Sequence, residues 1–334
     1  MILQDWLKEL DYTLIQGNPD TQVEEVIYDS RKAGPGTVFV AMTGTRIDAH
    51  CFIPDVLKAG TRILVTERPI DMELEACELD EEEKKKITIL RVKDSRRALA
   101  LLSAARFGYP AKKLTLIGVT GTKGKTTTTH MIKTVLEAAG KKAGLIGTTG
   151  VVIGEHVTPT MNTTPESYEL HKAFAQMAET GCDYAVMEVS SQGVKMHRVF
   201  TNISPDHIGP DEHKDFEEYL YYKTRLLDSC RIGLLNGADP HAEAIKKEVS
   251  CKLYTYNAGK ESKVPDDFMA ENIRYLAEPD FVGTQFHVSG RCEMEIRLAY
   301  RDFLMWKMPW LQSACAAYWG WILKGSAMHW SISG

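Results

Sequence analysis

The sequence has little of what marks a secreted, membrane-spanning or nucleic-acid-binding protein. Its seven cysteines are scattered without a Cys-x-x-Cys pair, which argues against a disulfide framework and against a cysteine metal cluster. There is no apolar run of about 18 residues and no signal-peptide pattern at the amino terminus. The formal net charge of −5 disfavours a nucleic-acid partner. We therefore expect a cytoplasmic, monomeric protein without membrane or nucleic-acid partners.

The most informative segment combines a strand, a glycine loop and the start of a helix. Residues 114–119 are apolar and β-branched, as in a buried strand, whereas residues 126–139 carry apolar side chains at helical spacing. Backbone N–H groups and the helix dipole would converge on one anion between them. The glycine spacing departs from that of the usual phosphate loop, because Val119 stands where its first glycine is expected. We predict a nucleoside triphosphate site formed by Gly121, Thr122, Lys123, Gly124, Lys125, Thr126 and Thr127.

Alternating strands and helices predict an α/β protein of two domains. Residues 1–110 form a first, small α/β unit, which ends where an aromatic-proline pair breaks a predicted helix. In residues 111–298 the alternation predicts a mostly parallel sheet with helices on both faces. Ligands bind such sheets at the carboxyl ends of the strands, where the phosphate loop, Glu188 and Asn236 fall. We expect these three features to meet at one edge.

Residues within the loop and beyond it suggest a metal site. Within the loop, Lys125 would reach the outer phosphates and the Thr126 hydroxyl is placed to bind Mg²⁺. Glu188 closes an apolar strand, a position at which nucleotide enzymes hold Mg²⁺ through carboxylate oxygens. His207 lies in a polar loop, where it would bind a second metal or orient a phosphate. Lys223 falls in a helical run and by itself indicates only a surface lysine.

Several motifs follow one another along the chain: residues 118–127, Asn162-Thr163-Thr164-Pro165, Glu188-Val189-Ser190-Ser191, His197-Arg198-Val199 and residues 202–207. They occur in this order in Mur ligases, and the chain resembles that family over roughly residues 23–298. Residues 28–32 and 39–44 resemble the UDP-binding amino-terminal domain of one branch. That branch adds the third residue of the peptidoglycan stem peptide.

The resemblance implies an ATP-dependent amide ligase of peptidoglycan precursor synthesis. A substrate carboxylate would attack the γ-phosphate of ATP, and an amino group would then displace phosphate from the acyl phosphate. Lys125 and Mg²⁺ would neutralise the transferring phosphoryl group. The partners implied are the UDP-N-acetylmuramoyl dipeptide and an amino acid that the sequence does not identify.

The resemblance also implies roles for individual residues. Lys125, Glu188, His207 and Lys223 would be the catalytic set. Thr126 and Glu188 would hold one Mg²⁺, His207 would help to hold a second, and Lys223 would be a carbamylated metal ligand. Ser30 would contact the uridine side of the substrate. The muramoyl peptide would contact Asn162, Thr163, Thr164, Ser190 and Arg198.

The final stretch, residues 299–334, departs from the family. Five of the six tryptophans lie there without a helical or strand pattern. In a shifted reading frame, the codons of residues 305–310 encode residues that the family carries at this point. We interpret the stretch as the product of a one-base insertion or deletion near Ala299, which resequencing of the gene would test. We expect a poorly packed, exposed tail, a missing carboxy-terminal ligase domain, and ligase activity that is absent or very weak.

Three alternatives stay open from the sequence. A folylpolyglutamate synthetase-like ligase shares the phosphate loop and the acyl-phosphate chemistry, but it lacks the amino-terminal unit around Ser30. A non-catalytic module that binds nucleotides or UDP-sugars is the second alternative, in which the truncation is original and not the result of a frameshift. A phosphate-loop kinase or GTPase fits less well, because the shifted glycine spacing and residues 162–165 belong to neither class.

Overall fold

The computed structural model describes residues 1–44, 47–190, 230–258 and 260–299, together with Tyr221, Thr224 and Leu227. Backbone contacts divide the chain into two compact units. The first comprises Met1–Lys113 and Glu166–Gln176, and the second begins at Leu114 and excludes that short segment. No described helix combines the length and the apolar character needed to cross a bilayer. The tail expected to result from a frameshift lies, from residue 300 onward, outside the described residues.

The first unit contains a five-stranded sheet in the order β1-β5-β4-β3-β2. All neighbouring strands run parallel except β1, which pairs antiparallel with β5. The strands are β1 (Thr13–Gln16), β2 (Glu25–Ile27), β3 (Thr37–Val40), β4 (Ile63–Thr66) and β5 (Thr88–Arg91). The helices are α1 (Leu3–Trp6), α2 (Ile53–Lys58), α3 (Asp71–Glu75), α4 (Glu81–Lys85) and α5 (Ser95–Arg106), with 3₁₀ turns at Ser30–Lys32, Ala49–Phe52 and Pro110–Lys113.

Both faces of this sheet are buried. Successive strand residues point to opposite faces, and in β3 the side chains of Val38 and Val40 join one apolar cluster while Phe39 joins another. The first cluster includes the apolar face of α5, with Ala98 and Leu102 fully buried. A parallel sheet covered on both faces is the α/β arrangement that the alternation of elements predicts.

The second unit contains two sheets. One has the order β6-β10-β7-β8-β9, in which β6, β10 and β7 are parallel, and the other has the order β11-β12-β13-β14-β15. Its strands are β6 (Thr115–Val119), β7 (Ala143–Gly147), β8 (Gly150–Ile153), β9 (His156–Thr158), β10 (Tyr184–Glu188), β11 (Ile232–Asn236), β12 (Lys252–Asn257), β13 (Phe268–Glu278), β14 (Phe281–Gly290) and β15 (Met294–Ala299). The described helices after α5 are α6 (Lys125–Ala138), α7 (Ser167–Glu179) and α8 (Ala242–Glu248).

The expectation that Asn236 shares a sheet edge with Glu188 is wrong. Among the described strands, β11 pairs with β12, so Asn236 ends a strand of the third sheet. Glu188 ends β10, which has β6 on one side and β7 on the other. Both hydrogen-bonding edges of β10 are therefore already occupied by strands of its own sheet.

The first part of α7 belongs to the first unit, although it falls within residues 111–298, which the sequence assigns to the second domain. Polar contacts hold it there, since Arg96 forms an ion pair with Glu166 at 2.9 Å and the Tyr28 hydroxyl donates to Glu169 Oε1 at 2.9 Å. Tyr168 packs against Phe107, with the ring centroids 5.3 Å apart. Burial and the bond to Glu169 raise the pKa of Tyr28, so its hydroxyl keeps the proton that it donates.

His171, on the same part of α7, should make the stability of the protein sensitive to acid. It is 9% exposed and its Nδ1 has no hydrogen-bond partner among the described residues. Burial lowers the pKa of His171 to about 4, against ~6.5 in an unfolded chain. The unfolded state therefore binds more protons between these values, and the stabilisation present above pH ~6.5 is lost as the pH falls towards ~4.

We expect this one group to remove about 2 kcal/mol of unfolding free energy between about pH 7 and about pH 5. Urea unfolding at both pH values measures the loss. His171→Leu should reduce the loss by that amount, whereas His156→Gln, at an exposed position of β9, should leave it unchanged. An equal loss in the wild type and in His171→Leu would contradict the prediction.

Candidate functional site

The predicted strand–loop–helix arrangement is confirmed, with β6 and α6 on either side of the glycine loop. Gly124 immediately precedes α6 and has φ of 85°, a left-handed conformation that disfavours any side chain. It also provides no side chain to cap the helix. An anion can therefore take the place that a capping oxygen has at other helix starts.

Lys125 is held at the loop by its own backbone. Its ammonium Nζ donates to the carbonyl oxygen of Gly121 at 2.9 Å and to that of Thr122 at 3.2 Å. The side chain is half-buried, while that of Lys123 is exposed. Both of these acceptors are neutral carbonyls, which do not cancel the charge of the lysine. A phosphate bound at the loop would therefore find a cation next to it.

The Glu188 carboxylate lies on the adjacent strand and is 1% exposed. The Thr126 hydroxyl donates to Oε2 at 2.9 Å, which joins the first turn of α6 to the end of β10. Thr148 donates to both oxygens, from its backbone N–H to Oε1 at 2.9 Å and from its hydroxyl to Oε2 at 3.2 Å. Within the described part of the chain, no cationic side chain forms an ion pair with Glu188.

The segment around Thr163 and Thr164 lies at the same strand end. The Thr164 hydroxyl donates to the carbonyl oxygen of Glu188 at 3.0 Å and accepts from the N–H of Ser190 at 2.9 Å. The Thr163 hydroxyl lies 3.3 Å from that of Thr148. Asn162 is exposed beside them. The structure therefore gathers several of the predicted residues around the end of β10.

The other predicted residues lie elsewhere. Ser30 begins the 3₁₀ turn Ser30–Lys32 of the first unit, after Asp29, whose pKa is lowered to about 2 by hydrogen bonds from Arg31. Thr127 lies in the first turn of α6. Arg198, His207 and Lys223 fall outside the described residues, and their roles stay predictions.

Gly147 and Thr148 also belong to the site, although no sequence motif singles them out. Gly147 ends β7, and a Cβ atom there would lie 2.8 Å from both Cγ and Cδ of Glu188, closer than side-chain atoms pack. Thr148 follows directly and makes the two bonds to the carboxylate. A glycine at a strand end is a known mark of close approach by another group, and this was the signal available in the sequence.

The residues present fit a Mg²⁺ ion. The donors are oxygens, which this hard cation prefers, and Thr126 Oγ1 and Glu188 Oε2 lie 2.9 Å apart. The partners of the buried carboxylate in the described part of the chain are neutral, so a cation would offset the cost of its burial. The phosphate loop adjoins the same carboxylate, so one ion would lie next to both a bound phosphate and Glu188.

A parallel strand, a glycine loop, a helix that begins with lysine and threonine, and a buried carboxylate on the next strand define a phosphate-loop α/β protein. Comparison with known proteins makes the assignment narrower. The family model described as Mur ligase middle domain matches residues 119–304, and that of the Mur ligase family, catalytic domain, matches residues 22–107. The chain belongs to the Mur ligase family, as the resemblance of its motifs indicates.

Known relatives carry the name of the branch that the sequence resembles. UDP-N-acetylmuramoyl-L-alanyl-D-glutamate--2,6-diaminopimelate ligase of Clostridium perfringens is 40% identical over 303 residues. These residues cover 86% of this chain and 58% of the relative, so the chain spans a little over half of that protein's length. The second family match covers residues 22–107, the amino-terminal unit that a folylpolyglutamate synthetase-like ligase is expected to lack.

Solved structures agree with the fold. A structure of UDP-N-acetylmuramoyl-L-alanyl-D-glutamate--2,6-diaminopimelate ligase has a TM-score of 0.75 and 20% identity, with 98% of this chain and 64% of the other covered. The MurF ligase of Thermotoga maritima, solved in complex with ADP, has a TM-score of 0.55 and 19% identity over 92% of this chain and 64% of its own. At these identities the similarity establishes the α/β architecture.

Proposed function

We propose that this chain supplies the nucleotide- and substrate-binding part of an ATP-dependent amide ligase that extends UDP-N-acetylmuramoyl-L-alanyl-D-glutamate. The observation that carries the proposal is the junction of the phosphate loop with a buried carboxylate, through the 2.9 Å bond from Thr126 to Glu188. The name of the 40% identical relative from Clostridium perfringens supports the substrate and supports 2,6-diaminopimelate as the added amino acid. The ADP in the Thermotoga maritima structure agrees with a nucleotide at the loop.

The described residues have separate tasks in this proposal. The start of α6 and the Lys125 ammonium bind the phosphates, with the lysine moving from the carbonyls of Gly121 and Thr122 to phosphate oxygens. Thr126 and Glu188 hold Mg²⁺. When bound, the ion supplies charge neutralisation for a phosphoryl group that passes to a substrate carboxylate.

The remaining roles follow the family resemblance. Residues 1–110 form the UDP-muramoyl-binding domain, with Ser30 on the uridine side, and residues 111–298 form the ATP-binding domain. His207 and carbamylated Lys223 complete the metal ligands. Contacts with the muramoyl peptide come from Asn162, Thr163, Thr164, Ser190 and Arg198.

Thermal-shift and calorimetric titrations test the proposal. ATP with Mg²⁺ and the UDP-muramoyl dipeptide should each raise the melting temperature, because each binds the folded state preferentially. A non-catalytic UDP-sugar module is the competing function. Such a module would bind UDP-N-acetylglucosamine as tightly as the dipeptide substrate, whereas a ligase site should prefer the dipeptide by about 10-fold or more, or roughly 1.4 kcal/mol. No stabilisation by either ligand would overturn the proposal.

A further inference from the structure

We propose that Thr148 is a positioning residue that fixes the orientation of the Glu188 carboxylate, in a space that Gly147 leaves open. The inference rests on the proposed function, in which Glu188 is a ligand of Mg²⁺. It concerns a residue that neither the motifs nor the phosphate loop single out. Thr148 acts on the metal through Glu188 and is not itself assigned as a ligand.

The register of the strands puts Gly147 beside Glu188. In the parallel pairing of β7 with β10, Ile146 is the partner of Met187, so the next pair along both strands is Gly147 and Glu188. A side chain on residue 147 would occupy the position of the carboxylate, since its Cβ would lie 2.8 Å from Glu188 Cδ. The absence of that side chain lets Glu188 lie across the end of β7 and reach Thr148.

Thr148 bonds to the two carboxylate oxygens separately. The N–H donates to Oε1 and the hydroxyl to Oε2, and two bonds to two oxygens restrict rotation of the carboxylate about its Cγ–Cδ bond. Thr126 contributes one bond, to Oε2 only. In the proposed function the Thr126 hydroxyl binds the metal, and Thr148 then remains as the residue that keeps the carboxylate in place.

The backbone of Glu188 has a separate support. Thr164 bonds to the Glu188 carbonyl and to the N–H of Ser190, so the strand end stays in place when the Thr148 hydroxyl is removed. Only the side chain of Glu188 would then gain freedom. Partners that orient a metal ligand in this way typically contribute about 10- to 100-fold to metal affinity.

Thr148→Val tests the inference, because valine keeps the branched shape and the backbone N–H but removes the hydroxyl. Titration of Mg²⁺ into the protein with a bound fluorescent ADP analogue gives the metal affinity. Titration of the ADP analogue into the protein in EDTA gives the metal-free nucleotide affinity. We expect the Mg²⁺ affinity to fall about 10-fold or more, with the metal-free nucleotide affinity unchanged. Thr148→Ser should restore the wild-type value.

Thr149→Val is the matched control, since it removes the neighbouring hydroxyl, which contacts His130 at 3.3 Å and not Glu188. It should leave the Mg²⁺ affinity unchanged. Gly147→Ala should lower the Mg²⁺ affinity as Thr148→Val does, because the methyl group displaces the carboxylate. If Gly147→Ala does not fold, the Mg²⁺ affinity of Thr148→Val still tests the positioning role.

The outcomes separate the two proposals. If the wild type binds Mg²⁺ with the nucleotide and Thr148→Val binds it equally well, the positioning role is overturned while the proposed function stands. A lower melting temperature in Thr148→Val without a change in Mg²⁺ affinity would show a structural role only, and would also overturn it. If the wild type binds neither nucleotide nor Mg²⁺, both proposals fail.

Discussion

Replacing Glu188 by glutamine should stabilise the metal-free protein and remove most of its affinity for Mg²⁺. The carboxylate is 1% exposed and its partners among the described residues are hydroxyl and amide groups, so no described cation compensates its buried charge. Glutamine has the same shape, keeps an acceptor for the N–H of Thr148, and offers its amide to hydroxyls that can rotate to accept. We expect the unfolding free energy in EDTA to rise by about 1–2 kcal/mol.

The same substitution should lower the Mg²⁺ affinity, measured with bound ADP, by roughly 100-fold or more, since even supporting residues typically contribute 10- to 100-fold. Glu166→Gln is the matched control. Its carboxylate already has a cationic partner in Arg96, so its loss should not stabilise the protein and should not alter the Mg²⁺ affinity. A Glu188→Gln protein that is less stable in EDTA, or that binds Mg²⁺ normally, would remove Glu188 from the metal site.

The opposite signs of these two effects are characteristic of a residue kept for function at the expense of stability. A carboxylate retained for structure would stabilise the metal-free protein, and its removal would weaken the fold. Glu188 is tied to Thr126, Thr148 and, through its carbonyl, Thr164. Each of these partners satisfies hydrogen bonds without neutralising the charge, which leaves the charge for a cation.

Local patterns were sufficient to predict the elements that form the site. A β-branched apolar run followed by glycines and a helical repeat predicts β6, the loop and α6, and the structure has these elements within one or two residues of the expected bounds. The apolar strand that Glu188 is expected to close is β10, Tyr184–Glu188. Glu188 could be predicted because a polar residue at the end of a buried parallel strand lies at the binding edge.

Contacts between distant residues could not be predicted in this way. Thr148 reaches Glu188 only because β7 pairs with β10, across 40 residues of sequence. The first part of α7 groups with the first unit, where Arg96 and Tyr28 bond to partners that lie 70 and 141 residues away in the sequence. The pairing of β11 with β12, which separates Asn236 from Glu188, is likewise a choice of strand order that alternation of elements leaves open.

Lys125→Met should weaken nucleotide binding with and without Mg²⁺, and this distinguishes it from Glu188→Gln, whose effect depends on the metal. Methionine retains the length and apolar stem of lysine but has no charge to place on a phosphate. A charge-assisted hydrogen bond of about 2–3 kcal/mol corresponds to a loss of about 30- to 150-fold in ATP affinity. The fold should tolerate the change, because methionine keeps the apolar stem and the loss of the bonds to the carbonyls of Gly121 and Thr122 leaves acceptors that water can reach at a half-buried site.

Lys133→Met serves as the control on the same helix, two turns beyond Lys125, where the lysine pairs with Glu137. It should bind ATP as the wild type does, because its charge is already engaged by a carboxylate. Isothermal titration of both variants with ATP, in Mg²⁺ and in EDTA, measures the difference directly. Equal affinities for Lys125→Met and the wild type in both conditions would mean that the triphosphate does not bind at this loop, and the assignment of Thr126 and Glu188 to its metal would fail with it.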